Sequence, residues 1–354
     1  MSYHNNPILP WDEDLPRYPC EDDVPFRSLE QLGRGGTAAV DKVIDMRKRD
    51  NRVYVRKSFV PNHNTSLTVY DLIQVKLELK AILKLQHNPH IVKAVTAYEV
   101  GPGNFEDDPN SLALGLEKLV LIMEPVASHG DLDHFMKAYR DPPNDVNHDV
   151  LDEPTLLRSF STLPSAVAYI HSKGMMHRDI KPNNCLVHKG NVLLTDFGLA
   201  HVYRRGAFRS SGDPGDFTPR YAAPEVRGTR GVSSERDGRS DVFSLGCVFV
   251  EVAATLLGDR CKVNPWFHIR TDQHGNRLEN IKVSGHNNAI GLYGEGCEAI
   301  SNGLHTDPTS NYYTELWIRL MNETLPSMLR RNKNKRATIQ EVLDNTRHKF
   351  ELLR

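Results

Sequence analysis

The segment His177-Arg178-Asp179-Ile180-Lys181-Pro182-Asn183-Asn184 brings a carboxylate, a lysine and an amide close together, and Asp196-Phe197-Gly198 adds a second carboxylate twelve positions after Asn184. Phosphoryl transfer needs such a set: a carboxylate to orient the attacking hydroxyl and accept its proton, and oxygen ligands for Mg²⁺ beside a triphosphate. Upstream, Leu32-Gly33-Arg34-Gly35-Gly36-Thr37-Ala38-Ala39-Val40 is a glycine-rich turn between strand-like segments. Missing side chains there let backbone N–H groups approach phosphates, although the same stretch also suits an ordinary hairpin.

Composition bounds these readings. A formal net charge of -1 over 354 residues supplies no basic field for nucleic acid and no acidic excess for disorder. No nucleic-acid partner is expected. Cysteines stand at 20, 185, 247, 261 and 297, an odd and widely spaced set without a Cys-x-x-Cys pair. Reduced thiols in an intracellular setting, cytoplasmic or nuclear, are favoured over a disulfide frame or a zinc site. His171 and His177 have no acidic or thiol partner at ligand spacing and read as structural. The N-terminus has neither a basic start nor an apolar run, so no secretory signal is expected. The most membrane-like run, Val242 to Leu257, is short for a span and contains Glu251, which favours a buried core helix and no membrane association.

The elements that must position this chemistry follow from periodicity. Residues 1–27 carry several prolines and acidic pieces and read as a poorly ordered leader. Arg52 to Val60 reads as a strand, and a lone strand lysine such as Lys57 is ordinarily solvated. In the stretch from Tyr70 to Leu83, Leu72, Val75, Leu79, Ile82 and Leu83 make an inward helical face with Glu78 at its margin. A long acidic loop over 99–117 precedes the strand Lys118 to Met123. Helices are expected from Thr155 to Ser172, over the apolar run 242–257, and again from Tyr312 to Met328 and beyond Arg336. The basic run from Arg330 to Arg336 suits a solvated loop or a nuclear signal.

HRDIKPNN, then DFG, then Ala223-Pro224-Glu225 resembles the catalytic loop, magnesium loop and activation-segment end of eukaryotic protein kinases. Lys181 two places after Asp179, with Thr218-Pro219-Arg220-Tyr221, resembles the serine/threonine branch. The resemblance implies an α+β, two-lobed kinase fold over 28–347: a small lobe of antiparallel sheet plus one helix over about 28–123, a hinge at 124–126, a mainly helical large lobe over about 127–347, and a short tail. It fades over 258–311, which is longer than the family leads one to expect.

The same resemblance assigns roles. Asp179 would accept the acceptor proton, Lys181 would steady the transferring phosphoryl, and Asn184 and Asp196 would hold Mg²⁺. Lys57 would hold the α- and β-phosphates of ATP and pair with Glu78. Leu32, Gly33, Arg34, Gly35, Gly36, Thr37 and Ala38 would cover the phosphates. Val40, Val55 and Leu186 would sandwich the adenine, with Met123 behind it and Glu124 and Val126 at its edge. Asp131 would reach the ribose or a substrate arginine. Ala38 replaces the third glycine of the family pattern, which implies a stiffer lid and weaker nucleotide affinity, not abolished binding. Asp241 would tie down the catalytic-loop backbone, and Arg336 would pair with Glu225.

The implied activity is transfer of the γ-phosphoryl of ATP to serine or threonine hydroxyls of protein substrates. The alternative is a pseudokinase scaffold, for which Ala38 is the one sequence argument; a small-molecule phosphotransferase is disfavoured by the activation segment ending in Ala-Pro-Glu. Glu251 suits binding of a basic residue before the acceptor, whereas Asn183 stands where arginine-selecting kinases often have glutamate. Arg178 beside Asp179 implies activation by an anion. An upstream kinase acting at Ser210 or Ser211 would supply it, or Asp213 and Asp216 would.

Overall fold

A computed structural model describes residues 15–34, 38–59, 78–85, 87–101, 118–140, 153–198, 201–202, 218–226, 237–257 and 319–350. These divide into two compact units, one drawn from Met1–Ala127 with Asp196–Gly198, the other from Ser128–Thr195 with Leu199–Arg354. The turn Gly35–Thr37, the loop serines and aspartates at 210–216, and the long 258–311 region lie outside the described residues.

The first unit is a six-stranded sheet. Its strands are β1 (Arg17–Tyr18), β2 (Phe26–Arg34), β3 (Ala38–Asp45), β4 (Val53–Phe59), β5 (Lys93–Val100) and β6 (Lys118–Glu124), ordered β1-β5-β6-β4-β3-β2. All pairings are antiparallel except β1 with β5. Alternation along the strands sends Phe26, Val43, Tyr54, Tyr98, Val120 and Ile122 into one core. Phe26 and Tyr98 stack there with ring centroids 5.8 Å apart. On β4 the next residues over, Val55 and Lys57, take the other face, in register with Met123 and Leu121 of β6. A helix, α1, covers residues 78–85, with Ile82 and Leu85 fully buried.

The expectation of a poorly ordered leader over 1–27 fails for residues 15–27, and residues 1–14 lie outside the described residues. Two residues of β1 add parallel to the edge of β5, Glu99 N donating to Pro16 O at 2.9 Å and Gly101 N to Tyr18 O at 3.0 Å. Arg17 binds the Glu99 carboxylate at 2.7 Å, and Glu21 accepts from Arg56 at 2.7 Å and from Lys118 at 2.8 Å. Val24 and Phe26 then enter the core. Charge pairing with three strands orders a segment that its proline content alone argues against.

In the second unit, α2 (Leu132–Arg140), α3 (Glu153–Ser172) and α4 (Gly238–Leu257) are followed by α5 (Leu325–Met328) and α6 (Ile339–Phe350), with two short antiparallel ladders pairing β7 (Met175–Met176) with β10 (His201–Val202) and β8 (Cys185–His188) with β9 (Asn191–Leu194). Beyond its polar first turn α4 is largely apolar all round because it is buried all round: Val242, Phe243, Leu245, Val248, Phe249 and Val252 are all inaccessible. Among the described residues no helix is long and apolar enough to cross a membrane.

Arg336 shows how the basic run resolves. Its guanidinium, 2 % exposed as a residue, donates to Glu225 at 2.6 and 2.9 Å and to Arg239 O at 2.9 Å. Burial alone would raise the Glu225 carboxyl, but the Arg336 hydrogen bonds and charge outweigh it and hold the pKa below the usual glutamate value. A depressed pKa contributes stability that is present above the ordinary value of 4.5 and is lost as pH falls through the folded value. Glu225→Gln should therefore cost about 3 kcal/mol at pH 7 by stranding a buried guanidinium, and its urea midpoint should fall less steeply than wild type between neutral and acid pH.

Candidate active site

Lys57 Nζ lies 2.8 Å from Glu78 Oε1 and 2.9 Å from Asp196 Oδ1. The strand places it: Lys57 follows Val55 on the same face of β4, and Val40 of β3 is its partner in register. Glu78, at the start of the described part of α1, is 1 % exposed, which a carboxylate tolerates only beside a counter-charge. Burial alone would pull the Lys57 ammonium down; the charges of Glu78 and Asp196 overcome it, so its pKa is raised and the side chain is cationic throughout the working range. Asp196 adopts φ 63°, left-handed for a residue with a side chain, and remains half accessible. Leu32, Gly33 and Arg34 end β2, and Ala38 opens β3 opposite Phe59. Met123 and Glu124 end β6, Glu124 ion-paired with Arg52, and Val126 follows half-buried.

In the second unit Asp179, Lys181 and Asn184 meet around one carboxylate. Lys181 Nζ stands 2.6 Å from Asp179 Oδ2, and Asn184 Nδ2 donates to the same oxygen at 3.0 Å and to Asp179 O at 2.8 Å. The other oxygen, Oδ1, accepts from Thr218 Oγ1 at 2.8 Å, while Lys181 also donates to Thr218 at 2.9 Å. Sequence reasoning missed Thr218 as a site group; its only signal was a place in the Thr-Pro-Arg-Tyr stretch that marks the serine/threonine branch. With its amide nitrogen committed to Asp179, Asn184 has its amide oxygen left for a cation, which suits the hard, oxygen-seeking Mg²⁺.

The loop is held from below by Asp241. Its carboxylate accepts from His177 N and Arg178 N, each at 2.9 Å, and lies 2.9 Å from His171 Nε2. Burial alone would raise this carboxyl, but His171, then His177 and the Arg178 backbone donor, hold it below the usual range. His177 Nε2 in turn lies 3.0 Å from Thr195 O. Asp131 caps α2 by accepting from His134 N at 2.7 Å, receives Asn183 Nδ2 at 3.3 Å on its other oxygen, and bridges to Leu186 of β8.

A family model for the protein kinase domain matches residues 26–347. The chain belongs to the protein kinase family. It is 31% identical over 238 residues to NUAK family SNF1-like kinase 2 of Rattus norvegicus, covering 66% of this chain and 32% of that protein. It is 27% identical over 247 residues to the interferon-induced, double-stranded RNA-activated protein kinase of Rattus norvegicus, covering 67% and 42%. With CBL-interacting protein kinase 24 of Oryza sativa subsp. japonica it shares 30% over 227 residues, covering 64% and 42%. This kinase chain thus spans about a third to a half of the length of these curated relatives. Two probable serine/threonine-protein kinases of Dictyostelium discoideum are among the further relatives.

The kinase ion pair around Lys57 yields a stability test. Lys57→Met should destabilise the chain by about 3 kcal/mol by leaving Glu78 buried and uncompensated, and adding Glu78→Gln should recover most of that loss. Urea denaturation of the wild type, both single variants and the double variant measures the coupling.

Proposed function

We propose that this chain transfers the γ-phosphoryl of Mg-ATP to serine or threonine hydroxyls of proteins, with Asp179 as the base. The observation that carries this reading is the company of the Asp179 carboxylate. Thr218, an aliphatic hydroxyl, donates to one of its oxygens, so an acceptor hydroxyl of the same chemistry has a matched receiver here. Lys181 beside the other oxygen supplies positive charge where a transferring phosphoryl gathers negative charge.

Lys57 would neutralise the α- and β-phosphates, and Asn184 and Asp196 are the oxygen donors assigned to Mg²⁺, which when bound spreads the charge of the phosphates. Backbone groups of Glu124 and Val126 would read the adenine edge beside Met123. To reach a ribose, Asp131 would have to release Asn183. Protein substrates follow from the family; the upstream activator expected at Ser210 or Ser211 is part of the proposal only as the source of an anion for Arg178.

Asp179→Asn should leave ATP affinity within a few fold and cut turnover on a serine or threonine peptide by roughly 10² or more. Wild-type turnover in that variant would remove Asp179 from the role. Asp196→Asn should abolish the Mg²⁺ dependence of the thermal shift given by ATP. The scaffold reading rests on Ala38 and predicts nucleotide binding without turnover in the wild type.

A further inference from the structure

Beyond Asp241 in its first turn, α4 carries one further carboxylate within its apolar run, Glu251, and it is wholly inaccessible to solvent. Such a charge persists in a core only with close donors. Its donors come from the turn that also bears Thr218. Arg220 Nη2 and the Tyr221 hydroxyl both donate to Glu251 Oε1, the latter at 3.2 Å. The turn is closed by Tyr221 N donating to Thr218 O at 3.1 Å, and it is fastened to α4 by Ser244 Oγ donating to Tyr221 O at 2.8 Å. Arg220 is thus held two residues from the threonine that touches Asp179, beside the place where an acceptor segment must lie.

A buried carboxylate next to the acceptor is the group that would select a basic residue in a substrate. Here an arginine of the chain itself occupies it. The other carboxylate expected to receive a substrate arginine, Asp131, has one oxygen in the cap of α2 and the other on Asn183. Both acidic groups are engaged internally.

We infer that Arg220 is a specificity-determining residue: by neutralising Glu251 in cis it makes the acceptor site indifferent to basic residues, and the substrates are sequences without an arginine or lysine requirement beside the phosphoacceptor. This rests on the kinase reading above. The pair also makes two opposite changes available. Removing the arginine uncovers an anion that recruits cationic peptides; removing the carboxylate releases a guanidinium that recruits acidic ones.

The experiment compares threonine-centred peptides that differ only in carrying arginine, alanine or glutamate on the N-terminal side of the acceptor. Affinity is read by fluorescence anisotropy, and turnover with Mg-ATP is read in parallel. Wild type should bind the three alike within about twofold, Arg220→Gln should favour the arginine peptide roughly tenfold, and Glu251→Gln should shift toward the glutamate peptide. In the double variant both preferences should vanish. If Arg220→Gln does not fold by circular dichroism, Glu251→Gln alone carries the decision. A pair that merely braces the turn would lower the melting temperature of both variants and leave the peptide ranking unchanged, which overturns the inference, as does a wild type that already prefers arginine. Binding preferences that shift as expected without turnover on any peptide would uphold the role of Arg220 and count against phosphoryl transfer instead.

Discussion

The segment from His177 to Asn184 depends on one buried carboxylate. Asp241, 1 % exposed, has no water to satisfy it, so its oxygens take the backbone N–H groups of His177 and Arg178 and face the ring of His171. Arg178 pays for this with φ 72°, a left-handed conformation that costs a residue with a side chain roughly 1–2 kcal/mol. A charge-assisted hydrogen bond to a buried anion is strong enough to offset that cost. The direction in which the next residue, Asp179, leaves the chain is therefore set by a helix far away in sequence.

The same device recurs elsewhere among the described residues. Glu78 in α1, Glu251 in α4 and Arg336 are each nearly or wholly inaccessible, and each is met by an opposite charge from a distant segment. As contributions to stability such pairs are weak, because desolvation cancels most of the attraction. As constraints they are strong, since either partner left alone is a buried charge. Apolar packing makes the body of α4, but packing tolerates small slides; the ion pairs and the Ser244 bond to Tyr221 O fix which residues stand opposite one another.

What could be read in the chain beforehand follows the reach of each signal. α3, α4 and β6 announce themselves through runs of apolar residues, and the expected bounds differ from the observed ones by few residues: α3 begins at Glu153 instead of Thr155, and β6 extends to Glu124. The motifs placed Asp179, Lys181 and Asn184 near one another because they are near in sequence. β1 was invisible, since two residues have no periodicity and become a strand only because the edge of β5 offers partners. Thr218 was invisible as a site group because its bond to Asp179 crosses 39 positions. Composition did not separate Arg336 from the exposed cations around it; the resemblance did, by pairing it with Glu225, and the two side chains hydrogen-bond.

Thr218 and Arg220 share a single turn, and that has a mechanical consequence. The turn is closed on itself by Tyr221 N and anchored through Tyr221 O to Ser244, and its outward contacts include those of Thr218 with Asp179 and of Arg220 with Glu251. Because Thr218 and Arg220 ride on the same short turn, a displacement of the turn moves both side chains at once. The contact at the proposed base and the contact at the buried glutamate are therefore coupled through the backbone that carries them. Under the proposed function, whatever orders this turn would act on the base and on the acceptor pocket through the same displacement, because interfaces packed this closely switch between arrangements and do not deform gradually.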